Sequence, residues 1–214
     1  MITVFERWGL PERIKTDNGY PVVYTGARDV PTPLRLWLIG LGIDAVANRP
    51  RRPQDNGTVE NLQGTSCRWV NPGQFRCPED LQRGLNEVAR EQREVYRLRA
   101  KDDLTRLQLF PQLETNPRRW TGEDSMFDIE RVYDWLEKIR ISRRVYSNGR
   151  VSFGNFDFQA GTKYKGKNVI ITFDRKDKMW HVKLDDDGSH IKSVKGLIIT
   201  KESVLNLSFN MSKN

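Results

Sequence analysis

The chain has 214 residues, of which 37% are hydrophobic and 30% are charged. This length suits one domain or two small ones with a buried core. No apolar run approaches the roughly 18 residues that cross a bilayer, and no basic leader precedes an apolar stretch. We therefore expect no membrane association and a cytoplasmic location. The two cysteines, Cys67 and Cys77, form no Cys-x-x-Cys pair, which argues against a disulfide framework and against a zinc site.

The charge balance is basic. Lysine and arginine number 36 against 28 acidic residues, which gives a net charge of +8 and a pI near 9.6. Such an excess fits a polyanionic partner such as DNA, although a basic and merely soluble surface explains it equally well. The histidines, His181 and His190, look isolated and are interpreted as polar strand residues.

The first fifty residues predict alternating helices and strands. Ile2, Phe5 and Trp8 fall at helical spacing, and Gly9 is a suitable residue to end that helix. Leu34, Trp37, Leu38 and Leu41 give a second helix its apolar face, with Gly42 after it. Short strands are predicted at 13–16, ending at Asp17, and at 43–48.

Residues 49–57 (RPRRPQDNG) predict a basic, proline-rich loop without regular structure. A helix is expected from Thr58 through Glu60 towards Trp69, and a longer amphipathic helix from Pro78. We expect the tryptophans at positions 8, 37 and 69 to lie in the core.

The second half of the chain changes from helix to strand. Residues 101–125 predict a polar linker, and 126–141 one more helix. Beyond residue 140 a hairpin is expected about Asn148-Gly149, within five short strands in about sixty residues, which fits a small closed barrel of SH3-like size.

Asp17 and Glu60 are candidates for one acidic site. Each Asn-Gly stretch alone is explained by a turn. However, strands of an α/β layer end at a common edge where ligands gather, and both carboxylates are expected there. Paired carboxylates suit Mg²⁺ or Mn²⁺, and two such ions about 4 Å apart activate phosphodiester chemistry. The adjacent Arg49, Arg51 and Arg52 suit phosphates.

The stretches GLPERIKTDNG, TPLRLWLIGLGI and RPRRPQDNGTVENLQGT together resemble the catalytic core of integrase-type insertion-sequence transposases, the DDE superfamily. The resemblance covers most of residues 1–100, and the downstream helix and barrel resemble the DNA-binding part of the same proteins. It implies an α/β fold in which a partial RNase H-like domain (1–100) precedes a linker and helix (101–140) and an SH3-like DNA-binding barrel (141–206).

The same resemblance implies that Asp17 is the second acid of the catalytic triad and Glu60 the third, with Mg²⁺ or Mn²⁺ as cofactor. It implies that Asn18 and Gly19 shape the turn after the strand, and that Pro53, Asn56 and Gly57 shape the loop before Glu60. The implied partners are transposon ends, target DNA and a full-length transposase, and the implied location is the nucleoid.

The sequence departs from the family in its first acid. Family members carry that acid on a strand before the first helix seen here, whereas Asp17 is the first aspartate of this sequence. Asp29, Asp44 and Asp55 are not convincing replacements. We therefore expect an N-terminally truncated remnant that is inactive alone.

Further DNA contacts are expected on two surfaces. Gln63 and Arg68 share the outer side of the Glu60 helix, where a plain solvated face is an equal alternative. The barrel concentrates cations that suit a phosphate backbone, with Tyr146 and Tyr164 as stacking candidates. These cations are Arg143, Arg144, Arg150, Lys163, Lys165 and Lys167.

Three functions remain open on the sequence. The first is a transposase or integrase remnant that binds DNA. The second is a truncated DNA-binding regulator of transposition, which occupies transposon ends or pairs with a full-length partner. The third is a protein-interaction module whose barrel binds peptide.

Overall fold

The structure, a computed structural model, describes residues 1–19, 21–22, 30–49, 51–153, 156–207 and 210–211. The chain is mixed α/β and divides into two compact units. The first unit comprises residues 1–10 and 48–120, and the second comprises 11–47 and 121–214. This division groups the segments differently from the three expected domains, whose boundaries at 100 and 140 stay predictions.

Eight helices are described, together with short 3₁₀ turns. The α-helices are α1 (Ile2–Trp8), α2 (Pro33–Gly40), α3 (Gly57–Trp69), α4 (Pro78–Glu94), α5 (Arg106–Leu109), α6 (Glu123–Met126), α7 (Ile129–Leu136) and α8 (Lys201–Leu205). In the described part of the chain, no helix is long and apolar enough to cross a membrane.

The strands are short, and most lie in the second half of the chain. They are β1 (Arg13–Thr16), β2 (Asp44–Ala47), β3 (Arg97–Leu98), β4 (Leu104–Thr105), β5 (Ile141–Arg144), β6 (Arg150–Phe153), β7 (Phe156–Gln159), β8 (Asn168–Asp174), β9 (Met179–Leu184), β10 (His190–Val194), β11 (Leu197–Ile198) and β12 (Asn210–Met211).

Strands β1 and β2 of the second unit pair in parallel, with α2 between them in the chain. The register runs from Arg13 opposite Asp44 to Thr16 opposite Ala47. Helix α2 begins where the Thr32 hydroxyl accepts the Arg35 amide at 3.2 Å, a typical N-cap that Pro33 at the first helical position supports. This β1–α2–β2 order confirms the α/β pattern expected for this segment.

The loop before α3 is more regular than expected. Its residues Pro53–Asn56 form a 3₁₀ turn that leads directly into α3 at Gly57. The prediction of an irregular segment is therefore wrong for this stretch. Proline at the start of a helical turn costs no hydrogen bond, because the first N–H groups of a helix have no partner within it.

The largest sheet is antiparallel, with the strand order β10-β9-β8-β5. The prediction that the strands on either side of Asn148-Gly149 pair with each other as a hairpin is wrong. Strand β5 pairs with β8, whereas β6 pairs with β7. The predicted turn at Asn148-Gly149 does exist, since the Tyr146 amide donates to the Arg150 carbonyl at 2.8 Å. The turn therefore connects strands that belong to two different strand pairs. Pairing between strands that are distant in the sequence leaves no local sequence signal.

The core of the second unit is built around Trp180, which is fully buried. Its ring meets Phe153 at 4.7 Å and Phe173 at 5.3 Å between centroids, both edge to face. The indole N–H donates to the Leu197 carbonyl at 3.2 Å. This polar contact lets a tryptophan lie at the centre of the core without an unsatisfied donor.

The first unit has a smaller core. Phe5, Leu10 and Val70 are buried, but the apolar stripe expected on α4 remains largely in solvent. Trp69 is 40% exposed and packs its edge on Tyr96, so the prediction that it is a core residue is wrong. Trp37, by contrast, is buried in the second unit as expected.

Candidate nucleic-acid interface and acidic site

Asp17 follows β1 directly and is exposed. Its Oδ1 accepts the backbone N–H of Gly19 at 3.2 Å, so the Asp-Asn-Gly stretch forms the turn that its composition predicts. This bond orients the carboxylate at the end of β1.

Glu60 lies in the first turn of α3 and is also exposed. The turn before it is tied back to Asn48, because the Asn48 side-chain amide donates to Asn56 Oδ1. A carboxylate at this position is favoured by the positive end of the helix dipole. This hydrogen bond holds the turn that precedes α3, and the role of Asn56 in positioning Glu60 stays a prediction.

Asp17 belongs to the second unit and Glu60 to the first. Their convergence on one Mg²⁺ or Mn²⁺ stays a prediction. Two of the aspartates weighed as substitutes are already engaged, since Asp44 accepts Arg13 at 2.9 Å and Asp55 is held by Arg49. Asp29 lies outside the described residues.

The basic loop 49–52 contains cations in different surroundings. The Arg49 guanidinium donates to both Asp55 oxygens at 2.8 and 3.1 Å, and these hydrogen bonds raise the pKa of Arg49. Its charge is therefore offset within the loop. Arg51 and Arg52 are exposed, and Arg51 has a positive φ of 60°. They are thus better placed than Arg49 to meet phosphate.

The outer face of α3 carries the two further candidates. Gln63 and Arg68 are both exposed, and the Arg68 guanidinium donates to Thr65 Oγ1 at 3.3 Å. This is a solvated helix face, and a DNA role for Gln63 and Arg68 stays a prediction.

A concentration of cations lies in the second unit, where the loop 160–167 lies against the end of β5 and the turn that follows it. The Val145 amide donates to the Lys167 carbonyl at 2.9 Å, and the Gly166 amide donates to the Val145 carbonyl at 3.0 Å. The Arg144 guanidinium donates to the Gly166 carbonyl at 3.2 Å. We call this surface the basic cluster, and its cations are Arg144, Arg150, Lys163, Lys165 and Lys167.

Gly149 makes this arrangement possible. Its φ is 77°, and a Cβ at this position would lie 2.6 Å from the Thr162 amide nitrogen and 2.7 Å from the Gly161 carbonyl carbon. The Gly149 carbonyl accepts the amides of Ala160 and Gly161 at 2.9 and 3.1 Å. A glycine is therefore needed for the loop to approach the turn.

All five cations of the basic cluster are exposed. Among the described residues, two acids oppose them weakly: Lys167 Nζ lies 3.9 Å from the exposed Asp186, and the pKa of Asp187 is lowered by hydrogen bonds with Ser189 and, to a smaller extent, by the charge of Lys167. Tyr146 is 55% exposed, and Lys163 lies over the Tyr164 ring at 4.8 Å. Cations and aromatic rings on one surface are the groups with which proteins bind the phosphates of single-stranded nucleic acid and stack on its bases.

Arg143 is less exposed than Arg144, its neighbour in the basic cluster. It is half-buried, its Nε donates to the Ser152 carbonyl at 3.1 Å, and its Nη1 donates to the Ser142 carbonyl at 2.8 Å. The side chain therefore ties β5 to β6. Its predicted DNA contact stays a prediction and competes with this structural role.

Sequence reasoning missed a cluster at the β8–β9 turn. His181 Nε2 lies 2.9 Å from Asp177 and 3.9 Å from Asp174, and Ser193 Oγ lies within 3.0 Å of both histidine rings. The prediction that the histidines are isolated is therefore wrong. Carboxylate and imidazole are metal-ligand chemistries, and in the described part of the chain these three side chains bring their ligand atoms within 4.8 Å of one another. The hairpin brings them together, so spacing alone did not reveal them.

No protein-family model matches the chain. The relation to integrase-type transposases accordingly rests on the motifs at 9–19, 32–43 and 49–65, and it stays a prediction.

Proposed function

We propose that this chain is a DNA-binding protein of the integrase-type transposase class, which contacts DNA through the basic cluster and does not cut or join DNA by itself. The observation that carries the proposal is the basic cluster: five exposed cations and two tyrosines on segments held together by backbone hydrogen bonds. Because its backbone is fixed by those hydrogen bonds, the cluster needs little ordering to follow a phosphate backbone.

The fold agrees with this class. A parallel β1–β2 pair with an intervening helix, and an acid directly after β1, are features that a partial RNase H-like domain requires. An antiparallel sheet of four strands accompanied by the β6–β7 pair is compatible with an SH3-like barrel. The assignments of an RNase H-like domain and of an SH3-like barrel are both part of this proposal.

The proposed lack of catalysis follows from ligand charge. Three carboxylates hold two dications side by side in the family that this sequence resembles, and Asp17 and Glu60 match two of them. Two carboxylates offset less of the repulsion between the ions. A displacement of the nucleophile by about 1 Å costs roughly 10²-fold in rate, so a loosely held metal is insufficient.

The test uses the full 214-residue chain with supercoiled plasmid and labelled duplex oligonucleotides in Mg²⁺ or Mn²⁺. We expect neither nicks nor joined products, and we expect Asp17→Ala and Glu60→Ala to behave like the unmodified chain. A metal-dependent product that disappears in Glu60→Ala would overturn this proposal, because it would mean that another acid completes the site.

A further inference from the structure

The β8–β9 hairpin brings two aspartates and a histidine together on its outer face. Phe173 and Trp180 lie opposite each other in the two strands and are buried in the core. Asp174 and His181 each follow one of these residues, so both lie on the opposite face of the sheet. Asp177 lies in the turn between the strands. In the described part of the chain, the ligand atoms of these three side chains lie within 4.8 Å of one another.

The turn fixes the orientation of the two carboxylates. Asp174 Oδ1 accepts the Lys176 amide at 2.8 Å, and Asp177 Oδ1 accepts the Met179 amide at 2.9 Å. The second oxygen of each carboxylate, Oδ2, is the one that approaches His181. It lies 3.9 Å from His181 Nε2 in Asp174 and 2.9 Å from it in Asp177. Two negative oxygens therefore face one imidazole nitrogen.

His181 Nε2 is closed to solvent and is not satisfied by either carboxylate. In the described part of the chain it makes no aligned hydrogen bond, although Asp177 is 2.9 Å away. The other ring nitrogen, Nδ1, is held 2.9 Å from Ser193 Oγ on β10. An unsatisfied buried nitrogen is costly, and an ion that it binds removes this cost. Metal-binding histidines typically have this arrangement, with one ring nitrogen on the metal and the other fixed by a polar neighbour.

The spacing of the ligand atoms suits a small tetrahedral ion. Zinc–nitrogen and zinc–oxygen distances of about 2.0–2.2 Å place two ligand atoms of a tetrahedral site roughly 3.4 Å apart. The distances of 2.9 and 3.9 Å from His181 Nε2 lie on either side of this value. The side chains of Asp174 and Asp177 are each 43% exposed, so an ion can reach them from solvent.

The charge of the two carboxylates is also not offset by the basic residues of the turn. Among the described ion pairs, neither Asp174 nor Asp177 contacts a lysine or an arginine. Arg175 instead pairs with two carboxylates of α7. Lys178 Nζ lies over the Tyr133 ring, 5.4 Å from its centroid. Two negative charges are therefore available to balance one dication.

We propose that Asp174, Asp177 and His181 bind one Zn²⁺ ion, with water as the fourth ligand. The imidazole selects zinc over Mg²⁺ and Ca²⁺, which prefer oxygen ligands. Ser193 is a positioning residue, because it holds the His181 ring. The bound ion links the end of β8 to β9 and stabilises the hairpin. The site shares no residue with the basic cluster, so it is independent of the proposed function.

The probe is Zn²⁺ alone, titrated by calorimetry into the full-length chain after EDTA has removed bound metal. The titration is repeated with Cys67→Ser/Cys77→Ser, because these two exposed thiols also suit zinc. In both proteins we expect saturable binding of one ion by the hairpin at micromolar zinc, and a higher melting temperature with zinc. Long-range ¹⁵N NMR of the histidine rings should show a zinc-dependent shift of His181 Nε2.

Variants then identify the ligands. Asp177→Asn keeps an oxygen for the Met179 amide but removes the charge, and His181→Gln removes the imidazole. Each should weaken zinc binding by about a hundredfold or more, whereas Ser193→Ala should weaken it by about tenfold. Asp185→Asn, at an exposed position in the β9–β10 turn, is the matched control and should leave zinc affinity unchanged.

Melting temperatures in EDTA check that each variant folds. Absence of saturable binding at micromolar zinc would overturn the proposal and would mean that His181 only pairs with Asp177. Equal zinc affinity of Asp177→Asn and the unmodified chain would also overturn it, because the ion would then lie elsewhere.

Discussion

At the residue scale, Tyr133 shows how one polar group in the core links stability to pH. Its hydroxyl donates to the Ile199 carbonyl at 3.1 Å, its ring stacks on Phe173, and it is 4% exposed. Burial raises the pKa of Tyr133, and the nearby Glu130 and Glu202 add to the effect. The folded protein therefore favours the neutral phenol, so this contribution to stability is complete below the unfolded pKa and is lost as pH rises through the folded pKa.

We predict that Tyr133→Phe lowers the free energy of unfolding by about 1 kcal/mol at pH 7, because one buried hydrogen bond is lost. The difference in the free energy of unfolding between this variant and the unmodified chain should narrow as pH rises past ~10. The unmodified chain loses stability as Tyr133 ionises, whereas phenylalanine cannot ionise. Urea unfolding between pH 7 and 11 measures both effects. Tyr146→Phe, at an exposed position, is the control and should show neither. A difference that stays constant across this range would refute the linkage.

The sequence predicted the exposed positions of individual residues better than their partners. Asp17, Glu60 and the arginines of the basic loop are on the surface as their type suggests. The Arg49–Asp55 pair and the Asp174–Asp177–His181 cluster were not anticipated. Both depend on how a turn folds back, which single-residue chemistry does not determine.

At the element scale, α2 of the second unit closely approaches the residues just before α7 at Gly40. A Cβ on Gly40 would lie 2.1 Å from Phe127 Cε2, and the Gly40 carbonyl accepts the Asp128 amide at 3.0 Å. The first contact leaves no room for a side chain. The backbone bond joins the two segments at that same point.

Gly40→Ala should therefore destabilise the protein by about 1–3 kcal/mol through overpacking, although alanine is the better helix former. Gly64→Ala is the matched control, because it lies within α3 and a Cβ added there would meet no other atom within 4 Å, so it should be neutral or slightly stabilising. Thermal unfolding of the two variants decides the matter. Equal melting temperatures would mean that Phe127 does not pack against Gly40 of α2 as described.

Elements with local signals were predicted well, and those set by distant pairing were not. The helices at 2–8, 33–40, 57–69 and 78–94 follow from apolar spacing and from glycine or proline at their ends. The pairing of β5 with β8 was missed, because adjacent strands around an Asn-Gly turn normally pair with each other. The exposure of Trp69 was missed for a related reason, since burial depends on which elements come to cover a residue.

At the scale of the whole molecule, the net charge of +8 is unevenly offset, because some cations are paired with acids and others are not. Arg49 and Arg175 are paired with acids, whereas the described ion pairs of the basic cluster comprise one long contact, 3.9 Å between Lys167 and Asp186. Lysines on β9, β10 and the segment after β10 are also exposed, and β10 is the edge strand opposite β5. Removing the same charge from the basic cluster and from the lysines of β9, β10 and the segment after β10 therefore tests two explanations of DNA binding. Binding by the basic cluster predicts unequal effects, whereas attraction by the net charge alone predicts equal ones.

The decisive measurement is the affinity of the full chain for a labelled duplex as salt is raised, followed by fluorescence anisotropy. The log of the binding constant should fall linearly with log salt, and each phosphate contact contributes about 0.9 to the slope. Replacing Lys163, Lys165 and Lys167 by Gln should reduce the slope by up to about 3 and weaken binding strongly. Replacing Lys183, Lys192 and Lys195 by Gln, with the same loss of charge, should change it much less. Salt-independent affinity, or equal losses in the two triple variants, would contradict DNA binding through the basic cluster.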